Sequence, residues 1–194
     1  SGGSVKSANT DGIVILCKRT NVQQIRDTVS LFELTTIFNM EYTEYRALYS
    51  INVNNYLAVK PDGTIKGKGQ FAIGGLAKNP TNTISVKAAI AYLTQQTPIK
   101  DTILQCQDIR DFVTLRTVKG GAVKDGQAIG KSIRWYHSTS TMTAIHYASN
   151  NNKVPKSDGA KPVMDYPDKL PTDIDYQFYI QEAKNIIKST GVSL

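Results

Sequence analysis

Two cysteines and two histidines are all the soft-ligand chemistry that the 194-residue chain holds. Cys17 and Cys106 lie far apart, no CxxC pair exists, and His137 and His146 stand alone, so the spacing of a zinc site is missing. Isolated cysteines in mixed surroundings read as free thiols, which fits a reducing compartment. Long apolar runs are missing as well: no stretch approaches the length of a membrane span, and no signal peptide is expected. Carboxylates are scarce in clusters: apart from Asp11, none stand together at metal-site spacing, which disfavours a nuclease. What remains is a chain 40% hydrophobic, enough for a real core. It has 23 basic against 16 acidic residues, a net charge of +7. That excess favours a polyanionic partner through long-range attraction and counterion release, with a merely soluble basic protein as the plain alternative.

The pattern along the chain predicts an α+β fold in two parts, residues 1–70 and 71–194. Ser1 to Ser4 (SGGS) reads as a linker. VKSA and IVILCK read as two short strands around the turn NTDG, whose Asn, Asp and Gly tolerate a tight reversal. Val22, Ile25, Val29 and Phe32 recur at helical spacing and predict an amphipathic helix over 21–38 with those four inward. YLAVK and TIKGK flank Pro61-Asp62-Gly63 as a hairpin. A composition shift at Gly74-Gly75 and Asn79-Pro80 marks the boundary near Phe71. Helices are expected over 83–96, 99–107 and 174–188, making the second part mostly helical. Trp135 and Tyr136 read as core, and His137 and His146 as surface residues without chemistry.

Ala8-Asn9-Thr10-Asp11-Gly12 puts an acidic residue at the tip of an apolar hairpin. An Asp there commonly does no more than satisfy turn geometry. Alternatively, a carboxylate on a rigid tip with neighbours of low bulk can approach Mg²⁺ bound to nucleotide phosphates. SANTDGIVI resembles the palm hairpin of family B DNA polymerases, with its aspartate-threonine-aspartate core. The resemblance continues in order. Met40-Glu41 resembles an acidic stretch before the DNA-gripping motif, Val53 to Ala58 (VNNYLA) the lysine-rich motif ending in tyrosine, and Ile65 to Gly69 (IKGKG) its hairpin return. GLAKNPTN, CQDIRDFVTLRTVKGGAV, GKSIRWY and DIDYQFYIQEAKNII look like the thumb of polymerases from large tailed phages.

The resemblance implies a partial palm, with antiparallel hairpins and a packed helix, followed by a thumb. Asp11 falls on the second hairpin aspartate, which ligates the catalytic metals, and Asn9 falls where the family has its first. Glu41, ahead of Glu44, is the candidate accessory carboxylate, with a solvated strand residue as the plain alternative. Tyr56 falls on the motif tyrosine, and Asn54 and Asn55 replace lysines there. Lys60, Lys66 and Lys68 are candidates for a phosphate track, as are Arg116, Lys119, Lys124, Lys131 and Arg134 around the Gly120-Gly121 loop, where small residues let a DNA strand approach. Asp27-Thr28-Val29-Ser30-Leu31-Phe32 looks like the other palm motif but lies on the wrong side of the hairpin and within a helical pattern, so it reads as coincidence.

A lone Asp11 does not hold two ions about 3.5–4 Å apart, so the two-metal Mg²⁺ site must be shared with an upstream aspartate. The implied function is therefore part of a template-directed DNA polymerase acting in the cytoplasm of the infected host cell. Its partners would be primer–template DNA, a deoxynucleoside triphosphate, and an upstream palm, fingers and exonuclease portion in the same chain or a separate subunit. No membrane is involved. The alternative is a non-catalytic duplex-binding module derived from such an enzyme, favoured by Asn9, Asn54 and Asn55 standing where the family has charged residues.

Overall fold

The structure, a computed structural model, describes residues 2–73 and 80–194. The Gly74-Gly75 composition break and most of GLAKNPTN lie outside the described residues. The described chain is α+β, with three antiparallel sheets and five α-helices. It divides into Ser1–Gly69 and Gln70–Leu194, next to the boundary read at Phe71.

The first unit opens with a hairpin, β1 (Gly3–Asn9) and β2 (Gly12–Cys17), interrupted by a bulge between Val5 and Ser7. Gly3 is a strand residue, so the SGGS stretch is not a free linker. A Cβ on Gly3 would meet Ile15 at 2.7 Å and Ile25 at 3.1 Å, because α1 (Val22–Thr36) crosses close above it. The half-buried face of α1 is Val22, Ile25, Val29, Glu33 and Thr36, a 3–4 spacing that follows the helical period. Phe32, expected on that face, lies outside it and stacks on Phe38 at 6.3 Å. The helix ends where Ile37 adopts φ 59° and donates its N–H to Glu33 O. A second sheet follows, β3 (Ala47–Asn52), β4 (Asn55–Val59) and β5 (Ile65–Lys68), with β4 central and Leu57, Ala58 and Val59 buried.

The second unit is mixed rather than mostly helical. Helices α2 (Thr83–Gln95), α3 (Ile99–Gln105), α4 (Ile109–Phe112) and α5 (Tyr176–Ser189) accompany a four-stranded sheet ordered β8-β6-β7-β9. Its central strands, β6 (Thr114–Lys124) and β7 (Gln127–His137), are each 11 residues long; β8 is His146–Tyr147 and β9 Ala160–Pro162. The long strands follow from inward Val118, Ala122, Ile133 and Trp135, which form one cluster with Ile145, Val154 and Ala160. In β7 the buried Ile133 and Trp135 stand two residues apart, a strand period, and the two long strands are why the second part is not mostly helical as expected. Truncating Trp135 to alanine would cost about 3–5 kcal/mol.

Tyr179 joins the helices to the sheet. Its hydroxyl donates to Phe112 O and accepts from His137 N, both at 2.8 Å, and its ring meets Phe112 edge-on. His137, read as a surface residue, is only 3% exposed and stacks on Phe178. The reason is its place at the end of β7, under α5. Asp175 caps α5 by accepting from Gln177 N and Phe178 N, which holds Phe178 in register over the imidazole.

Candidate hairpin carboxylate and nucleic-acid interface

Asp11 sits in the two-residue turn between β1 and β2, paired at its base by Asn9 and Gly12. Asn9 Oδ1 accepts a 2.9 Å hydrogen bond from Asp11 N, an Asx turn that fixes the tip from within. The Asp11 side chain is exposed and makes no hydrogen bond or ion pair with the described residues. An uncommitted carboxylate between Thr10 and Gly12 suits one ligand position on Mg²⁺, an oxygen-seeking ion. No group of three or more His, Cys, Asp or Glu side chains converges among the described residues.

Glu41 is exposed in the irregular stretch after α1. Nearby, Glu44 pairs with Arg26 at 3.4 Å and Met40 N donates to Glu33 Oε1. Asp27 lies on the exposed side of α1 and accepts from Gln23 Nε2 at 2.8 Å.

In the second sheet of this unit, Val53 and Asn54 form the β3–β4 turn and Asn55 opens β4, paired with Asn52. Asn52 Oδ1 accepts from Asn54 N at 2.9 Å and from Asn55 Nδ2 at 3.0 Å. Gly69 packs under that tip at φ 64°, where a Cβ would lie 2.3 Å from Asn54 O. Tyr56 is half-buried opposite Lys68, and Lys66 lies opposite Ala58. Lys66 and Lys68 thus share a face of β5, and both are exposed. Lys60 is half-buried at the end of β4, where its N–H donates to Thr64 O.

The second unit holds the remaining basic candidates. Between the pairs Thr117↔Ser132 and Ala122↔Gly130, four residues of β6 face one residue of β7, Lys131. The bulge forms because Gly120 and Gly121 adopt φ 86° and 89° and Gly130 adopts 86°, values open to glycine. Val118 and Gly121 turn inward; Lys119, Gly120 and Lys131 are exposed. Arg116 and Arg134 are half-buried, with the Arg134 guanidinium 5.5 Å over the Tyr166 ring.

Lys124 behaves differently. It is 7% exposed and donates to Thr143 O at 2.6 Å, to Thr141 Oγ1 at 3.3 Å, and to Thr143 Oγ1. Desolvation lowers its pKa below the ordinary lysine value. Its ammonium ties β6 to the loop after β7 and is not offered at the surface with Lys119 and Lys131.

One polar node went unread in the sequence. The Asp173 carboxylate accepts from Tyr136 Oη at 2.7 Å, Ser138 Oγ at 2.8 Å, Ser140 Oγ at 2.7 Å and Lys161 Nζ at 2.6 Å. Partial burial opposes ionisation, yet these four donors hold the Asp173 carboxyl well below the usual carboxylate range. Burial, with the bond to Asp173, pushes Tyr136 up to about 12. Comparison of the chain with family models, curated proteins and solved structures finds no match. No helix among the described residues is long and apolar enough to cross a membrane.

Proposed function

We propose that the chain is the hairpin-bearing end of the palm and the thumb of a family B DNA polymerase, with the rest of the palm and the fingers supplied by an upstream portion of the same chain or by a separate subunit. The observation that carries this reading is the exposed, uncommitted carboxylate of Asp11 on a hairpin tip braced by Asn9. It is joined by the ordered run of motifs through VNNYLA and IKGKG to GKSIRWY. In this reading the thumb is a mixed helix-and-sheet domain, and Lys119, Lys131 and the Gly120 backbone meet the phosphates of primer–template duplex. Arg116 and Arg134 stand beside them on β6 and β7. In the first unit, Asn54, Asn55, Tyr56, Lys66 and Lys68 are the residues that would contact DNA in this reading.

Asp11 would hold Mg²⁺ together with a carboxylate from the complementary portion. When bound, Mg²⁺ lowers the pKa of the primer 3′-hydroxyl and neutralises charge on the α-phosphate of the incoming deoxynucleotide. In this reading the residues of this chain position the metal and the duplex. Backbone contacts without base readout make duplex binding independent of sequence and sensitive to salt.

A second reading, a duplex-binding module without chemistry, is favoured by the amide of Asn9 standing where the family has a carboxylate. The experiment combines the chain with a palm–fingers polypeptide of a family B polymerase, primer–template, deoxynucleotides and Mg²⁺. Extension that needs both polypeptides supports the polymerase. Duplex binding with no extension from any partner supports the module.

A further inference from the structure

Past β8 the chain turns back on itself directly beside the β6 bulge. Tyr147 pairs with Ala122, Ala148 N donates to Gly121 O at 3.0 Å, and a Cβ on Gly120 would touch Ser149 Cβ at 3.7 Å. The turn is closed at its base, where Tyr147 N donates to Asn152 O and Asn151 N to Tyr147 O, both at 2.9 Å. Asn150 Oδ1 accepts from Asn152 N at 3.0 Å, and Asn151 sits at φ 57°, a left-handed position that asparagine tolerates. Its backbone and the Asn150 side chain therefore fix the turn from within.

The side chains around Asn150 are unused. Ser149, Asn151 and Asn152 are exposed, and their hydroxyl and amides make no hydrogen bond among the described residues. Idle amides on a fixed backbone bind a partner at little cost in ordering. Lys153, the next residue, is tied to Asp158 at 2.8 Å, so the turn offers hydrogen bonds and no free charge. Free charge lies on the adjoining bulge, where Lys119 and Lys131 are exposed and enter no ion pair among the described residues.

An acidic protein segment calls for cations at the centre of the contact, where this surface has amides. A nucleic-acid duplex fits better. Its phosphates flank the minor groove, and within that groove every base pair presents N3 or O2 acceptors, to which an amide donates whatever the sequence. We infer that the 149–152 turn enters the minor groove of duplex DNA. Asn151 and Asn152 donate to purine N3 and pyrimidine O2, Ser149 donates to a backbone oxygen, and Lys119 and Lys131 hold the flanking phosphates. The site extends the duplex-binding part of the polymerase reading and rests on it, but needs no catalysis.

The test titrates the full chain with fluorescein-labelled duplex DNA at several salt concentrations. Asn151→Gly combined with Asn152→Ala keeps the left-handed position and the backbone bonds while removing both amides. It should weaken duplex binding about tenfold and leave the slope of log K against log salt unchanged, since no cation is lost. A second measurement needs no variant. A duplex carrying 3-deazaadenine and 3-deazaguanine lacks the purine N3 acceptors, and the unmodified chain should bind it several-fold more weakly. The double variant should bind that duplex and the ordinary one alike, and a 7-deaza duplex, altered in the major groove alone, should bind the unmodified chain normally. Equal binding of the 3-deaza and ordinary duplexes by the unmodified chain overturns the inference, as does a double variant of unchanged affinity. In either case a salt slope that Lys119→Ala still lowers leaves the duplex-binding reading standing. No duplex binding at all overturns both, and polyglutamate held as tightly as duplex, with the same loss in the double variant, gives the turn to an acidic protein instead.

Discussion

The side-chain oxygen of Asn9 accepts a 2.9 Å hydrogen bond from the backbone N–H of Asp11. Asn9, where the polymerase reading expects an aspartate, therefore has a task that an aspartate would also perform, since a carboxylate oxygen accepts the same bond. Asn9→Asp is expected to keep the turn and retain primer extension by the reconstituted enzyme. Asn9→Ala loses the brace, at a local cost of about 1 kcal/mol, and lowers extension while leaving duplex affinity unchanged. Steady-state extension and duplex titration of the two variants check this.

Lys119 and Lys124 are close in sequence and opposite in fate, one exposed on the bulge and one buried against Thr143. Lys119→Ala and Lys131→Ala should each reduce the slope of log K against log salt by about 1 for duplex binding. Lys124→Ala should leave that slope unchanged. It should destabilise the second unit by about 1–3 kcal/mol, because the buried ammonium that bridges Thr143 O and the Thr141 and Thr143 hydroxyls is lost, while Thr143 O keeps its bond from Gly159 N. Binding titrations from low to moderate salt, with thermal unfolding of the same variants, separate the two behaviours.

Asp173 binds its proton less readily in the fold than in the unfolded chain, so its contribution to stability is in place above the unfolded carboxylate value near ~4. It is lost as pH falls from there toward the depressed folded value. Asp173→Asn should remove the steep acid limb of stability below about pH 4, and should cost roughly 1.5–3 kcal/mol at neutral pH. Chemical denaturation at a series of pH values measures both.

His137 runs the same way at higher pH. Burial lowers its pKa, with Asp158, Asp175 and Glu182 opposing weakly, and its Nε2 has no partner among the described residues. Stability is full above the unfolded histidine value near ~6.5 and falls as pH drops through the folded one, because the unfolded chain takes up the proton first. His137→Phe, able to stack on Phe178, should flatten the melting temperature between pH 7 and pH 5.

Local signals in the sequence foretold the elements built from local rules. NTDG and Pro61-Asp62-Gly63 are turns because Asn9 and Asp62 cap their own backbones. The 3–4 spacing of Val22, Ile25 and Val29 is the inner face of α1. What stayed hidden depends on partners distant in the chain. Nothing near Asp173 announces that Tyr136, Ser138 and Ser140 converge on it from more than thirty positions away. His137 looked like a surface residue because its cover, Phe178, arrives with α5. Phe32 fits a helical stripe yet stays outside, since the inner face of α1 is filled without it. The four-stranded sheet was obscured because the bulge at Lys119–Gly121 breaks the alternation of β6. As to the site, Asp11 and the exposed lysines were legible as residue types; the brace from Asn9 and the burial of Lys124 were not.

The most direct measurement is single-turnover primer extension by the chain reconstituted with a palm–fingers polypeptide, comparing Asp11→Asn with Asp27→Asn across a Mg²⁺ titration. If Asp11 ligates the metal as proposed, its loss removes several kcal/mol of transition-state stabilisation, so Asp11→Asn should slow extension by about 10²–10³-fold. Asp27→Asn, on the exposed side of α1, should extend at the unmodified rate. An Asp11→Asn enzyme that extends normally at every Mg²⁺ concentration would contradict the account.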